Sequence, residues 1–176
     1  MIITISGTAG SGKSTIAKLL ASKLNLKHYS VGDFRREMAK RLGISINELN
    51  KRGESEEFTD KEPDEWQEKL GKTEDNFIID GRLSFHFIPN SFKLFIDADI
   101  TTRAERIYND KRDSEKFSSF DNALQKVNAR QDSDTKRYQK YYNINPFTKE
   151  HYDLVVDTTN NNPDECVEII LEKLNI

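Results

Sequence analysis

The run Gly7-Thr8-Ala9-Gly10-Ser11-Gly12-Lys13-Ser14 decides the fold, because it fits G-x-x-x-x-G-K-[ST] at every fixed position. The chemistry of a phosphate chain explains the spacing. Such a chain carries several negative charges and needs donors at close range. Glycines let the backbone curl so that successive N–H groups point inward, and a helix starting near Lys13 adds its positive end. Lys13 is placed to reach the β- and γ-phosphates of ATP or GTP, and the Ser14 hydroxyl to ligate Mg²⁺. The expected contacts of the nucleotide cofactor are Gly7, Thr8, Ala9, Gly10, Ser11, Gly12, Lys13, Ser14 and the following Thr15.

The flanks supply the context that this chemistry requires. Residues 1–6 (MIITIS) read as a buried strand, and Ile16, Leu19, Leu20 and Leu24 fall on one helical face. Further strands are expected at 27–30, 77–80 (FIID), 92–98 (FKLFIDA) and 152–157 (YDLVVD). Helical patterns run over about 33–42, 45–52 and 56–70 with no strand between them, so they read as an insert. A helix near Thr101 follows, capped by Thr101 or Thr102, and a long one covers about 120–141. The last helix opens at Asn162-Pro163-Asp164-Glu165: an N-cap, a proline at the first position and two acids in the first turn. Strands alternating with helices predict an α/β fold, a five-stranded parallel sheet flanked by helices.

Bulk composition excludes several classes. The chain has 176 residues, enough for one domain. Its charge of −3 provides no basic field for nucleic acid or membrane. One cysteine, Cys166, excludes an internal disulfide and a cysteine metal cage, and it reads as a small core side chain. No apolar run approaches the ~20 residues of a membrane span. A cytoplasmic monomer acting on small molecules is expected. No GTPase base-reading N-K-x-D or D-x-x-G occurs, so a switch or motor is not expected. His28, His86 and His151 share no close spacing and read as surface or packing residues.

A phosphoryl acceptor that is itself a nucleotide brings a second phosphate, and positive charge must gather both. Arg36 lies in Gly32-Asp33-Phe34-Arg35-Arg36, and Arg82 follows the strand FIID in Asp80-Gly81-Arg82. Arg130, Asp134 and Arg137 are spaced by four and three, on one face of the long helix. With VGDFRREMAKRLG, IIDGRLS, RAERI and YDLVVDTT, these stretches make nearly the whole chain resemble the nucleoside monophosphate kinases. Within them it is most similar to the cytidylate kinases, especially the short archaeal type.

The resemblance implies a P-loop kinase fold with a core at about 1–30, 76–107 and 119–176, a helical acceptor-binding insert at about 31–75 and a short lid at about 108–118. It implies that Arg36 and Arg82 hold the acceptor phosphate and that Arg130 and Arg137 bridge acceptor and γ-phosphates. Asp134 would accept from the acceptor ribose, with Asp33, Asp80 and Ser84 as further substrate contacts. Lys13, Arg82, Arg130 and Arg137 would be catalytic. Arg106 would lie on ATP, and Thr158–Asn160 would line the adenine. Asp110 stands where the family commonly has a lid arginine, with Arg112 two residues on, and Trp66 takes a position that is usually polar. The activity implied is transfer from ATP to CMP or dCMP. Alternatives on the same scaffold are an adenylate, UMP/CMP or shikimate kinase, or an ATPase assembly factor bound to ribonucleoprotein.

Overall fold

The computed structural model describes residues 1–53, 55–56, 58–110 and 117–176, with the side chain of Asn47 also left out. Strand β1 (Ile2–Gly7) leads into the phosphate loop and helix α1 (Lys13–Leu24). Strand β2 (Lys27–Ser30) is followed by three helices, α2 (Val31–Arg41), α3 (Ile46–Arg52) and α4 (Phe58–Thr73), before β3 (Phe77–Asp80). A short helix α5 (Ser84–Phe87), β4 (Phe92–Asp97), α6 (Ile100–Asn109), α7 (Phe120–Tyr142), β5 (Leu154–Asp157) and α8 (Pro163–Leu174) complete the chain. The strands form one sheet in the order β2-β3-β1-β4-β5, each neighbouring pair parallel.

Alternation along the strands sends side chains to two cores. Ile3, Ile5, Ile78, Leu94 and Ile96 pack against Ile16 and Leu20 of α1 and Val167 and Ile170 of α8, with Cys166 buried among them. Phe77 and Ile79 face the other way, onto Leu70 of α4 and Ile88. Each fully buried Ile or Leu contributes about 2 kcal/mol of transfer free energy. The result is a rigid platform on which the C-terminal ends of β1, β3 and β4 lie side by side. Register pairs Ile5 with Asp80 and Gly7 with Ile96. In parallel α/β sheets such strand ends are where ligands bind.

The structure departs from the sequence reading at local boundaries. Asp99, not Thr101 or Thr102, caps α6: its carboxylate accepts from the Thr102 N–H at 2.9 Å. Helix α2 starts at Val31 rather than 33, because Ser30 caps it from extended backbone. β5 begins at Leu154 rather than 152, and α5 has no counterpart in the periodicity. The stretch expected to form a lid, 108–118, lies outside the described residues between 111 and 116, which includes Arg112.

Candidate active site

The loop is built around close backbone approaches. Gly10 has φ +82°, and a Cβ there would meet the Arg103 carbonyl oxygen at 2.5 Å, so only glycine fits. Arg103, buried on α6, donates to the Ala9 carbonyl at 2.9 Å and to Gln131 of α7 at 3.0 Å. Burial pushes its guanidinium below the ordinary value. Thr158 donates to the Ser11 carbonyl at 2.8 Å, and Arg106 clamps Thr158 through its hydroxyl (2.8 Å) and carbonyl (2.7 Å). Arg106 and the loop after β5 are thereby brought to the phosphate loop. Gly12 ends the loop in a left-handed conformation, and no side chain caps α1. The first N–H groups of α1 therefore face the loop, as an anion site requires.

Lys13 lies at the centre of a buried polar cluster. Its ammonium is 2.9 Å from Asp80 at the end of β3. The other Asp80 oxygen is 3.0 Å from His28 Nε2, and Ser30 donates to Asp80 at 3.2 Å, with Ser14 at 3.5 Å. Burial lowers the Lys13 pKa, and the charges of Arg82 and Arg130 add to that while Asp80 opposes it. Burial works against the Asp80 charge, yet Lys13 and His28 hold its carboxyl well below the usual range. Lys13, Arg82 and Arg130 thus repel one another around a common point, which an anion there would relieve.

From this point a row of alternating charges runs out into the helices between β2 and β3. Arg82 donates to the Gly7 carbonyl and, at 2.9 Å, to Asp134. The other Asp134 oxygen takes Arg137 at 3.2 Å. Burial disfavours the Asp134 charge, but Arg82 and then Arg137 hold its pKa down. Arg137 also donates to the Tyr138 hydroxyl at 3.0 Å and faces Asp60 of α4 at 3.9 Å. The other Asp60 oxygen accepts from Arg35 at 2.8 Å, and Arg35 continues to Asn50 at 3.2 Å. Next to Asp60, Tyr142 donates to Asp64, whose pKa burial raises to about 7, with the Asp60 charge adding to it.

The structure brings together Lys13, Ser14, Asp80, Arg82, Asp134 and Arg137, and Arg130 acts on the same charges. Arg36 stands apart, exposed and paired with exposed Asp33, its guanidinium lying over Gly32 beside Ser30. It is the adjacent Arg35 that enters the buried row. Ser84 is buried and donates to Gln67 at 2.7 Å, tying α4 to the start of α5. His28, expected to be a surface or packing residue, is largely buried and pairs with Asp80 across adjacent strands. Asp97 was also missed; it accepts from Thr8 at 3.1 Å.

The model of the cytidylate kinase-like family matches residues 2–160. The chain belongs to that family. It is 37% identical to the cytidylate kinase of Methanobrevibacter smithii over 176 residues, 100% of this chain and 99% of the relative. It is 38% identical to the cytidylate kinase of Sulfurisphaera tokodaii, covering 99% of this chain and 96% of that one. Among solved structures, shikimate kinase from Bacteroides thetaiotaomicron superposes with a TM-score of 0.71 at 14% identity, covering 100% and 99% of the two chains. That likeness concerns the P-loop kinase fold alone. This cytidylate kinase-like chain is therefore a phosphotransferase by family. Among its described residues no helix is long and apolar enough to cross a membrane.

Proposed function

We propose that the protein transfers the γ-phosphoryl group of ATP to a nucleoside monophosphate, CMP or dCMP before any other, releasing CDP or dCDP and ADP. The observation that carries this is the row Arg82–Asp134–Arg137 starting on the Gly7 carbonyl. It sets a cation for a second phosphate, then a carboxylate for a sugar, directly beside the loop for the first phosphate chain. A plain ATPase has no use for that second site.

In this reading Lys13 and the loop N–H groups hold the β- and γ-phosphates, and Arg106 with Thr158 borders the ATP base. Arg82, with Arg36 once it leaves Asp33, holds the acceptor phosphate, and Asp134 the ribose. Arg130 spans acceptor and γ-phosphates. Arg137 shares that role only once it leaves Asp60, since α7 and α4 engage its guanidinium in the described state. The acceptor oxygen is already a nucleophile, so positioning and charge neutralisation suffice, without a covalent intermediate or general base. Ser14 would ligate Mg²⁺, with Asp80 3.5 Å from its hydroxyl to orient it. A hydroxyl and a nearby carboxylate fit an ion that keeps waters and takes substrate phosphates. The ion would neutralise phosphate charge. The helices at 31–75 and the lid at 108–118 would close over both substrates. We place the reaction in the cytoplasm, on free nucleotides, by a monomer; the charge of −3 supports the absence of a nucleic-acid partner.

A panel of acceptors tests the reading. With ATP and Mg²⁺, ADP release should be fastest with CMP or dCMP, slower with UMP and slowest with AMP. AMP outperforming CMP by a large factor would remove the cytidylate assignment and leave the kinase class. Fast release without any monophosphate would favour the assembly-factor ATPase instead.

A further inference from the structure

Thr8, Ser11, Asp97 and Thr158 close a ring of hydrogen bonds through the phosphate loop. The Thr8 hydroxyl donates to Asp97 Oδ1 at 3.1 Å, and the Thr158 N–H donates to the Asp97 carbonyl at 2.9 Å. The Thr158 hydroxyl donates to the Ser11 carbonyl at 2.8 Å, and the Ser11 hydroxyl returns to the Thr8 carbonyl at 2.9 Å. Thr8, Ser11 and Thr158 are buried, and Asp97 ends β4. The Thr8 N–H is also taken, by the Ile96 carbonyl at 3.3 Å. The N–H groups of Ala9 and Gly10, between Thr8 and Ser11, keep no acceptor among the described residues. A loop with left-handed glycines at Gly10 and Gly12 has little preference of its own for one shape. The ring supplies that preference.

A carboxylate beside a loop that takes phosphates is electrostatically unfavourable, so its presence there needs a reason. Asp97 Oδ1 also accepts from the Ala98 N–H at 3.0 Å, which fixes the oxygen on which Thr8 closes. Asp97 Oδ2 faces the Lys149 ammonium at 3.4 Å, on the turn Lys149–His151 that precedes β5. The Asp97 charge also favours that of buried Arg103, which donates to the Ala9 carbonyl. Two cations therefore offset the carboxylate. We propose that Asp97 is a positioning residue of the phosphate loop. Acting through Thr8 and Thr158, it holds the turn from Thr8 to Ser11 in the shape that receives a phosphate chain, while Lys149 offsets its charge. This rests on the reading above of ATP as the ligand of the loop. A preformed turn spares the ligand the cost of ordering it, so the effect belongs to donor binding more than to transfer.

The test separates ATP binding from acceptor binding. ATP with Mg²⁺ is titrated calorimetrically without acceptor, and the KM of CMP is measured on the same preparations. Asp97→Ala removes a hydrogen bond to a charged group, and should raise the ATP Kd by about 10- to 100-fold while the CMP KM stays within a few-fold. Asp97→Asn keeps an oxygen for Thr8, and should restore ATP binding to within a few-fold of the wild type. Lys149→Met, at an exposed position, should weaken ATP binding a few-fold when Asp97 is present and not in the Asp97→Asn background. Unchanged ATP affinity in Asp97→Ala would overturn the proposal, as would an equal rise in the ATP and CMP constants, which is what a merely structural link gives. A loss in Asp97→Asn as large as in Asp97→Ala would overturn it too. Should Asp97→Ala not fold, Thr8→Val removes the same bond from its other end; the same rise is expected, and unchanged ATP affinity there overturns the proposal. An equal effect of Lys149→Met in both backgrounds would overturn the part given to Lys149. Absence of ATP binding in the wild type would remove the ATP reading together with this one. ATP binding that follows the expected pattern without turnover on any monophosphate would support the proposal and remove the acceptor reading alone.

Discussion

Lys13→Ala should reduce ADP formation by about 10³-fold or more and weaken ATP binding, while the chain still folds. The Lys13 ammonium is the charge at the centre of the loop, held by Asp80 at 2.9 Å. It is desolvated, so its field acts on phosphate oxygens with little screening. Its removal leaves Arg82 and Arg130 to neutralise the transferring group from one side only. The fold survives because Asp80 keeps His28 and Ser30 as partners. The lost contact should cost about 1–3 kcal/mol of stability. Steady-state turnover, ATP titration and a denaturant melt on one preparation separate these effects. Turnover near that of the wild type would remove Lys13 from the phosphate site.

Arg130→Ala should lower kcat by about 10³-fold with a smaller change in acceptor KM. Arg130 lies one helical turn before Asp134, and its charge acts on both Lys13 and Asp134. A cation placed between donor and acceptor phosphates meets charge that spreads as the phosphoryl group moves. Arginines in that position are worth about 10³–10⁵ in kcat. An arginine that only binds ground-state phosphate would show its loss in KM instead. Arg130 is itself exposed, so the substitution leaves the core packing alone. A kcat within a few-fold of wild type would take this face of α7 out of the mechanism.

How far the sequence could be read depended on the range of the interactions. The loop was legible because its function is local: eight consecutive residues carry the turn, the helix start and the lysine. The strands followed from short β-branched runs, and the capping box of α8 from Asn162 and Glu165. The spacing of Arg130, Asp134 and Arg137 placed them on one face, and Arg82 joins Asp134 there. Long-range choices were not legible. Arg35 and Arg36 are neighbours pointing about 100° apart on a helix. Only the packing of α2 on α4 turns Arg35 inward and leaves Arg36 in solvent. His28 looked isolated, since its partner Asp80 is 52 residues away on the adjacent strand. Arg103 and Arg106 are the two arginines of RAERI and share a face at a spacing of three, but the partner that fixes Arg103, the Ala9 carbonyl, is 94 residues away.

The most direct measurement follows the phosphoryl group itself. ATP labelled at the γ-phosphate is incubated with CMP, Mg²⁺ and the protein, and the products are separated by ion exchange. The account predicts label in CDP, equimolar with the ADP released, and little label in free phosphate. Label recovered as free phosphate at the same rate with and without CMP would contradict it.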